Sequence, residues 1–299
     1  MRTLIIIVVL CCTGNAAERK LILHADDFGM SHAVNRATIE LLDSGRVSSA
    51  SIMMPCPWVP EAAAYARKHP EKDIGLHLTL TSEWNALRWG PVAAVDRVPG
   101  LLDEEGYLWR NEGDVARHAS PSEVELELRA QITKAKKLGI RFTHFDTHMG
   151  TLYTRPDFFQ VFEKLGREFG VPILRVKPGD REAQYGVPKN VIDYLLSNEA
   201  RYQAEGVFRL DRLVRDGGGK AKTVEQRMAA YHAVLQALPD GVSMIIVHLG
   251  RLDPELAAAT ASAPQREGDY VVCKDPSTVA LLEKLGIQLV GWKDVASSQ

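Results

Sequence analysis

Lys20-Leu21-Ile22-Leu23-His24-Ala25-Asp26-Asp27-Phe28-Gly29 decides how the chain is read: an apolar run that stops directly at two adjacent carboxylates. Burying two carboxylates side by side is unfavourable unless a cation, hydrogen bonds or protonation compensates. An Asp-rich turn capping the following helix would account for one such pair. The feature, however, recurs. Gly75-Leu76-His77-Leu78-Thr79 sets an imidazole inside a later apolar run, and Ile245-Ile246-Val247-His248 ends a very apolar run in histidine. In Thr143-His144-Phe145-Asp146-Thr147-His148, polar groups alternate along the run. Residues two apart in a strand share a face, so His144, Asp146 and His148 line one side of theirs.

Outward from these runs, short β-branched apolar segments alternate with stretches of helical period, the pattern of βα units around a parallel sheet. The spacing predicts strands at 21–25, 47–54, 74–81, 142–147, 173–176, 244–247 and 287–291, and helices at 31–44, 58–68, 191–205, 224–238 and 277–285. About seven parallel strands imply a barrel. Ser120-Pro121-Ser122-Glu123 supplies a cap, a proline at the first helical position and an acid three residues after the cap. Thr154-Arg155-Pro156-Asp157 is expected to open the next helix in the same way. Segments 82–119 and 208–223 break the alternation and read as excursions from the barrel. The run Gly217-Gly218-Gly219-Lys220 lacks the remaining residues of a phosphate loop and is expected to be a mobile surface turn.

With 45% hydrophobic residues and 25% charged ones, the 299-residue chain has material for a large core, which excludes disorder and fibrous folds. A formal net charge of -2 gives no summed field that would draw it to nucleic acid or anionic lipid. Met1-Arg2-Thr3, then unbroken apolar residues from Leu4 to Cys12, then small residues to Ala17, make a secretory signal. That run is too short to span a membrane, which takes ~20 apolar residues. Residues 1–17 therefore read as a signal peptide and 18–299 as one catalytic domain, exported after cleavage. Leu10 before Cys11 argues against a lipid anchor at Cys11 or Cys12. Cys56 and Cys273, which remain, are expected to be buried thiols rather than a disulfide framework or a zinc knuckle.

A single histidine in a strand is most often a satisfied core residue. Four strand ends bearing such groups change that balance, because active sites of parallel barrels and open α/β sheets lie at the carboxyl ends of the strands. One carboxylate and two imidazoles bind a divalent ion while leaving coordination positions for water and substrate, with an acid and a base to spare. Such an ion lowers the pKa of water it binds towards ~7 and polarises a carbonyl oxygen.

Together, Ala25-Asp26-Asp27-Phe28-Gly29, Gly75-Leu76-His77-Leu78-Thr79, the run 143–148 and the strand ending in His248 resemble the YdjC-like carbohydrate deacetylases, which include chitooligosaccharide deacetylases. The resemblance extends from about Lys20 to Val295. It implies a distorted βα barrel related to polysaccharide deacetylases, and hydrolysis of an N-acetyl group from an amino sugar. Carried onto this sequence, it makes Asp27, His77 and His148 the metal ligands, Asp26 the general base and His248 the general acid. Imidazole ligands favour zinc or another transition metal, whereas the resemblance points to magnesium. Two departures bear on the substrate: Met149-Gly150-Thr151 follows His148 where the family often has further histidines, and His248-Leu249-Gly250 replaces His-Pro-Gly. Trp84, Trp89 and Trp109 in the first excursion either stack on sugar rings or close that segment's own core. Arg266, Glu267 and Asp269 read most simply as a solvated charge run. The alternative functions are hydrolysis of another amide or ester at the same site, and a catalytically idle sugar-binding protein.

Overall fold

A computed structural model describes residues 18–179 and 186–296; the expected signal peptide at 1–17 lies outside them. Among the described residues seven parallel strands form one sheet: β1 (Arg19–Phe28), β2 (Ser49–Ile52), β3 (Ile74–Leu78), β4 (Phe145–Thr147), β5 (Arg212–Val214), β6 (Gly241–Val247) and β7 (Ile287–Leu289). Their order is β4-β3-β2-β1-β6-β5, with β7 paired to the first residues of β1. Isolated bridges Phe145↔Ile173 and Val176↔Leu210 carry the pairing from β4 round towards β5. The result is a regular arc joined across its gap by a few hydrogen bonds: the parallel barrel that the strand pattern implied, distorted as the family resemblance implied.

Several expectations are corrected. Residues 173–176 make only bridges, and the strand that fills this side, β5, sits inside the segment read as an excursion. It has three residues, too few for alternation to show. The helix expected at 191–205 is two, Lys189–Ser197 and Glu199–Ala204, broken at Asn198, whose side-chain amide bonds the Tyr194 carbonyl. Ser120 makes the full capping box with Glu123. Thr154 does not cap: proline occupies the first helical position, which makes Arg155 the cap residue and leaves Thr154 one place too early.

Alternation on β1 sorts the interior. Leu21, Leu23 and Ala25 belong to the main core, shared with residues of the surrounding helices such as Val34 and Leu41. Ile22 joins a separate cluster with Leu213, Met244, Ile246 and Trp292 on the inner face. On that same face the barrel turns polar: His144 stacks on Trp292 at 4.7 Å, and its edge meets the ring of His24 at 5.1 Å. Gly75 makes room for it, since a Cβ there would collide with the His144 imidazole. Cys56 and Cys273 are buried free thiols. Among the described residues no helix is long and apolar enough to cross a membrane.

Candidate active site

Regular alternation would send Asp26 and Asp27 to opposite faces of β1. Asp27 escapes it. Its φ is 65°, in the left-handed region, and the β1–β2 register shifts between Ala25 and Phe28. The bend brings both carboxylates to the inner face, buried and within 3.7 Å of His77 Nε2. A left-handed residue with a side chain costs on the order of 1–2 kcal/mol, and aspartate is among those that adopt it most readily.

Three donor atoms converge at the carboxyl ends of β1, β3 and β4. Asp27 Oδ1 lies 3.6 Å from His77 Nε2 and 3.3 Å from His148 Nδ1, and the two nitrogens are 3.2 Å apart. All three residues are buried, and Asp27 Oδ1 has no hydrogen-bond partner. An unpartnered carboxylate oxygen facing two imidazole nitrogens is a donor set suited to a divalent ion. Two overlapping groups, Asp26/His77/Asp146 and His24/His144/Asp146, share Asp146, both of whose oxygens are already engaged. Asp146 accepts from Ser51 at 2.8 Å and stands 2.8 Å from both His24 Nε2 and His77 Nδ1. Asp146, which the sequence placed on the inner face without a task, is thus the support behind His77.

Burial opposes every charge here, yet the arrangement keeps them. Desolvation would raise the Asp27 carboxyl, but Arg266 and His148 outweigh it and hold it well below the usual carboxylate range. Burial would likewise lower His148, whereas Glu83 and Asp27 push it up to about 10. His77 is raised against its burial by Asp146 and Asp26, and His24 is raised to about 9 by the same two carboxylates. The carboxylates demand positive charge at this spot. A divalent ion would meet that demand.

His248 follows the last residue of β6 and is half-buried. A positive charge on its ring would favour the ionised forms of both Asp27 and Asp269. Its backbone is held from behind: Asp269 accepts the His248 amide at 3.0 Å, Arg227 at 2.5 Å and the Tyr231 hydroxyl at 2.9 Å. The glycine run takes part in this bracing. Gly217 and Gly218 are buried, packed so closely on the Tyr231 ring and the Arg227 guanidinium that a Cβ at either would collide, and Asp216 bonds Arg227. Of the expected surface turn, Gly217 and Gly218 are thus packed, whereas Gly219 and Lys220 are exposed.

The expected charge run is also corrected. Arg266 and Asp269 are buried, and Arg266 donates to Asp27 Oδ2 at 2.5 Å. Both lie on the helix Ala263–Lys274 with buried Tyr270 and Cys273. Spacings of three and four along 266, 269, 270 and 273 mark one face, which was the available signal. Glu83, 3.0 Å from His148 Nε2, carried no such signal. Of the tryptophans, Trp89 donates to the Thr81 carbonyl and Trp109 to that of Gly100 while stacking on His118, so both close the segment's own core. Trp84 is buried under the Arg266 guanidinium, 5.1 Å from its ring centre.

A cavity of about 210 Å³ lies alongside, lined by Thr147, Met149, Tyr153, Leu213 and Ile246 among others. The five expected site residues do not line it. It shares walls with the strands that carry His148 and His248.

The profile of the family described as YdjC-like protein matches residues 20–284. A carbohydrate deacetylase of Geobacillus stearothermophilus is 28% identical over 277 residues, covering 92% of this chain and 98% of its own length. One from Thermus thermophilus is 33% identical over 270 residues, covering 90% and 91%. The crystal structure of an Enterococcus faecalis V583 protein, described as a candidate cellobiose-phosphate cleavage protein, superposes with a TM-score of 0.76 at 26% identity, covering 94% of this chain and 100% of that one. With the profile match running from the first strand almost to the last, this chain belongs to the YdjC-like protein family.

Proposed function

We propose that this protein is a metal-dependent hydrolase that removes N-acetyl groups from amino sugars or their oligosaccharides. The observation that carries the reading is the convergence of Asp27 Oδ1, His77 Nε2 and His148 Nδ1 on one point. It occurs in a chain that aligns over 90% or more of its length with proteins named carbohydrate deacetylase. These three residues would hold the ion, whose contribution is Lewis acidity towards the acyl oxygen and towards water. The chain's own residues do the rest. Asp26, buried beside Asp27 with its Oδ2 3.7 Å from His77 Nε2, takes the proton of the attacking water. His248, arriving from β6, gives a proton to the departing nitrogen. Arg266 keeps Asp27 ionised, and the neighbouring cavity takes the body of the substrate.

Two nitrogen donors favour zinc or another transition ion over magnesium. The test joins metal analysis of the purified protein to an acetate-release screen over N-acetylated sugars. The expected result is a stoichiometric ion, with acetate release that a chelator abolishes and the ion restores. A fully loaded protein that releases no acetate from any of them would overturn the substrate class.

Export is part of the same proposal, supported by the basic start, short apolar run and small residues of 1–17. N-terminal sequencing of the mature protein is expected to begin near Ala17 or Glu18. A chain isolated from the cytoplasm and starting at Met1 would refute it.

A further inference from the structure

Each imidazole in the ligand set has two nitrogens, and only one can face the ion. The other needs a partner that fixes the ring, and metal-ligating histidines usually have a carboxylate or carbonyl in that place. For His77 the partner is Asp146, 2.8 Å from Nδ1 on the side away from Asp27. For His148 the corresponding atom is Nε2, and 3.0 Å from it lies Oε2 of Glu83. An ionised carboxylate only accepts, so Nε2 is the donor and Nδ1 is left facing Asp27 Oδ1 and His77 Nε2. We propose that Glu83 is a positioning residue for the metal site, holding His148 so that its Nδ1 is presented to the ion.

Glu83 is the second residue of the 82–119 segment, and that segment is built to hold its own start still. Buried Ser82 accepts the amide of Trp89 at 3.0 Å and the Arg88 guanidinium at 3.2 Å, and its own amide bonds the Trp109 carbonyl. The next residue, Trp84, packs on Arg266, which in turn holds Asp27. Two of the three ligand side chains are therefore supported through the tripeptide 82–84, and the third through β4. A separate excursion from the barrel thus becomes part of the ion site, although none of its residues is a ligand.

The proposal rests on the metal-site reading above, and the experiment separates the two. Zinc and magnesium binding to the purified full chain are measured by titration calorimetry for the native protein, Glu83→Ala, Glu83→Gln and Asp27→Asn. Loss of an outer partner costs roughly 10–100-fold in metal affinity. That loss is expected for Glu83→Ala, with a smaller one for Glu83→Gln, whose side-chain oxygen still accepts from Nε2. Nitrogen NMR of labelled histidine in the zinc-loaded protein supplies a signature that general loosening would not produce: one ring state for His148 in the native protein, two in Glu83→Ala. If Glu83→Ala fails to fold, Glu83→Gln carries the comparison. Binding by Glu83→Ala within about twofold of native, while Asp27→Asn loses it, overturns the role of Glu83 and leaves the metal site standing. A native protein that binds no ion, or binds it equally well as Asp27→Asn, overturns both.

Discussion

Replacing Asp27, His77 and His148 together by alanine is expected to abolish tight binding of a divalent ion, as read by metal analysis after dialysis and by titration calorimetry. The three donor atoms lie within 3.6 Å of one another, at the ends of three strands, with no hydrogen bond satisfying Asp27 Oδ1. Loss of a ligand should exceed the ~10–100-fold expected when only an outer partner is lost. Stability provides a second readout. An ion that binds the folded state alone, at a hundred times its dissociation constant, stabilises it by about 2.7 kcal/mol, which the native protein should show as a thermal shift and the triple variant should not. Among single changes, Asp27→Asn is cleaner than Asp27→Ala. Alanine would leave the buried Arg266 guanidinium without its partner, and stranding a buried charge costs ~3–5 kcal/mol in itself. Asparagine removes the charge while keeping an acceptor for Arg266. A triple variant that retains a stoichiometric ion would show that the ligands lie elsewhere.

The parts legible in the sequence are those whose physics is local or periodic. The apolar runs that became β1, β3 and β6 each end in a group that is costly to bury, so both the strands and their functional ends could be read together. Alternation placed His144, Asp146 and His148 on one face, and all three are buried. What escaped depends on packing between distant segments. β5 is too short to show a period, and its neighbours at 173–176 pair through bridges alone. Arg266 is a charge whose counterion lies 239 residues away, so composition alone read it as solvated. Glu83 is placed by the contacts of Ser82 with Arg88, Trp89 and Trp109, none of which any spacing predicts. The backbone of Asp27 is a further case. Adjacent carboxylates were visible, but only the positive φ explains how both reach one face of a strand.

The opposite proton roles proposed for Asp26 and His248 predict different losses on different substrates. Amide hydrolysis must both activate water and protonate a poor leaving group, and one side chain cannot conveniently do both at once. Asp26 stands on the β1 side, its Oδ1 3.2 Å from His24 Nε2 and its Oδ2 3.7 Å from His77 Nε2, next to the donor set. His248 follows β6, with its backbone fixed by Asp269, and in the proposed role would approach the substrate from another direction. A positioned acid or base contributes ~10²–10⁴-fold to rate. His248→Ala is therefore expected to lose activity in that range on an N-acetyl sugar, and far less on an activated acetyl ester whose leaving group needs no proton. Asp26→Asn should lose comparable activity on both, because water must be activated in either case. The native pH profile of kcat/KM should be bell-shaped, and His248→Ala should lose the limb that reports its acid. Equal losses of His248→Ala on the two substrates would reduce His248 to a residue that orients the substrate, and the proton for the leaving amine would then have to come from another group.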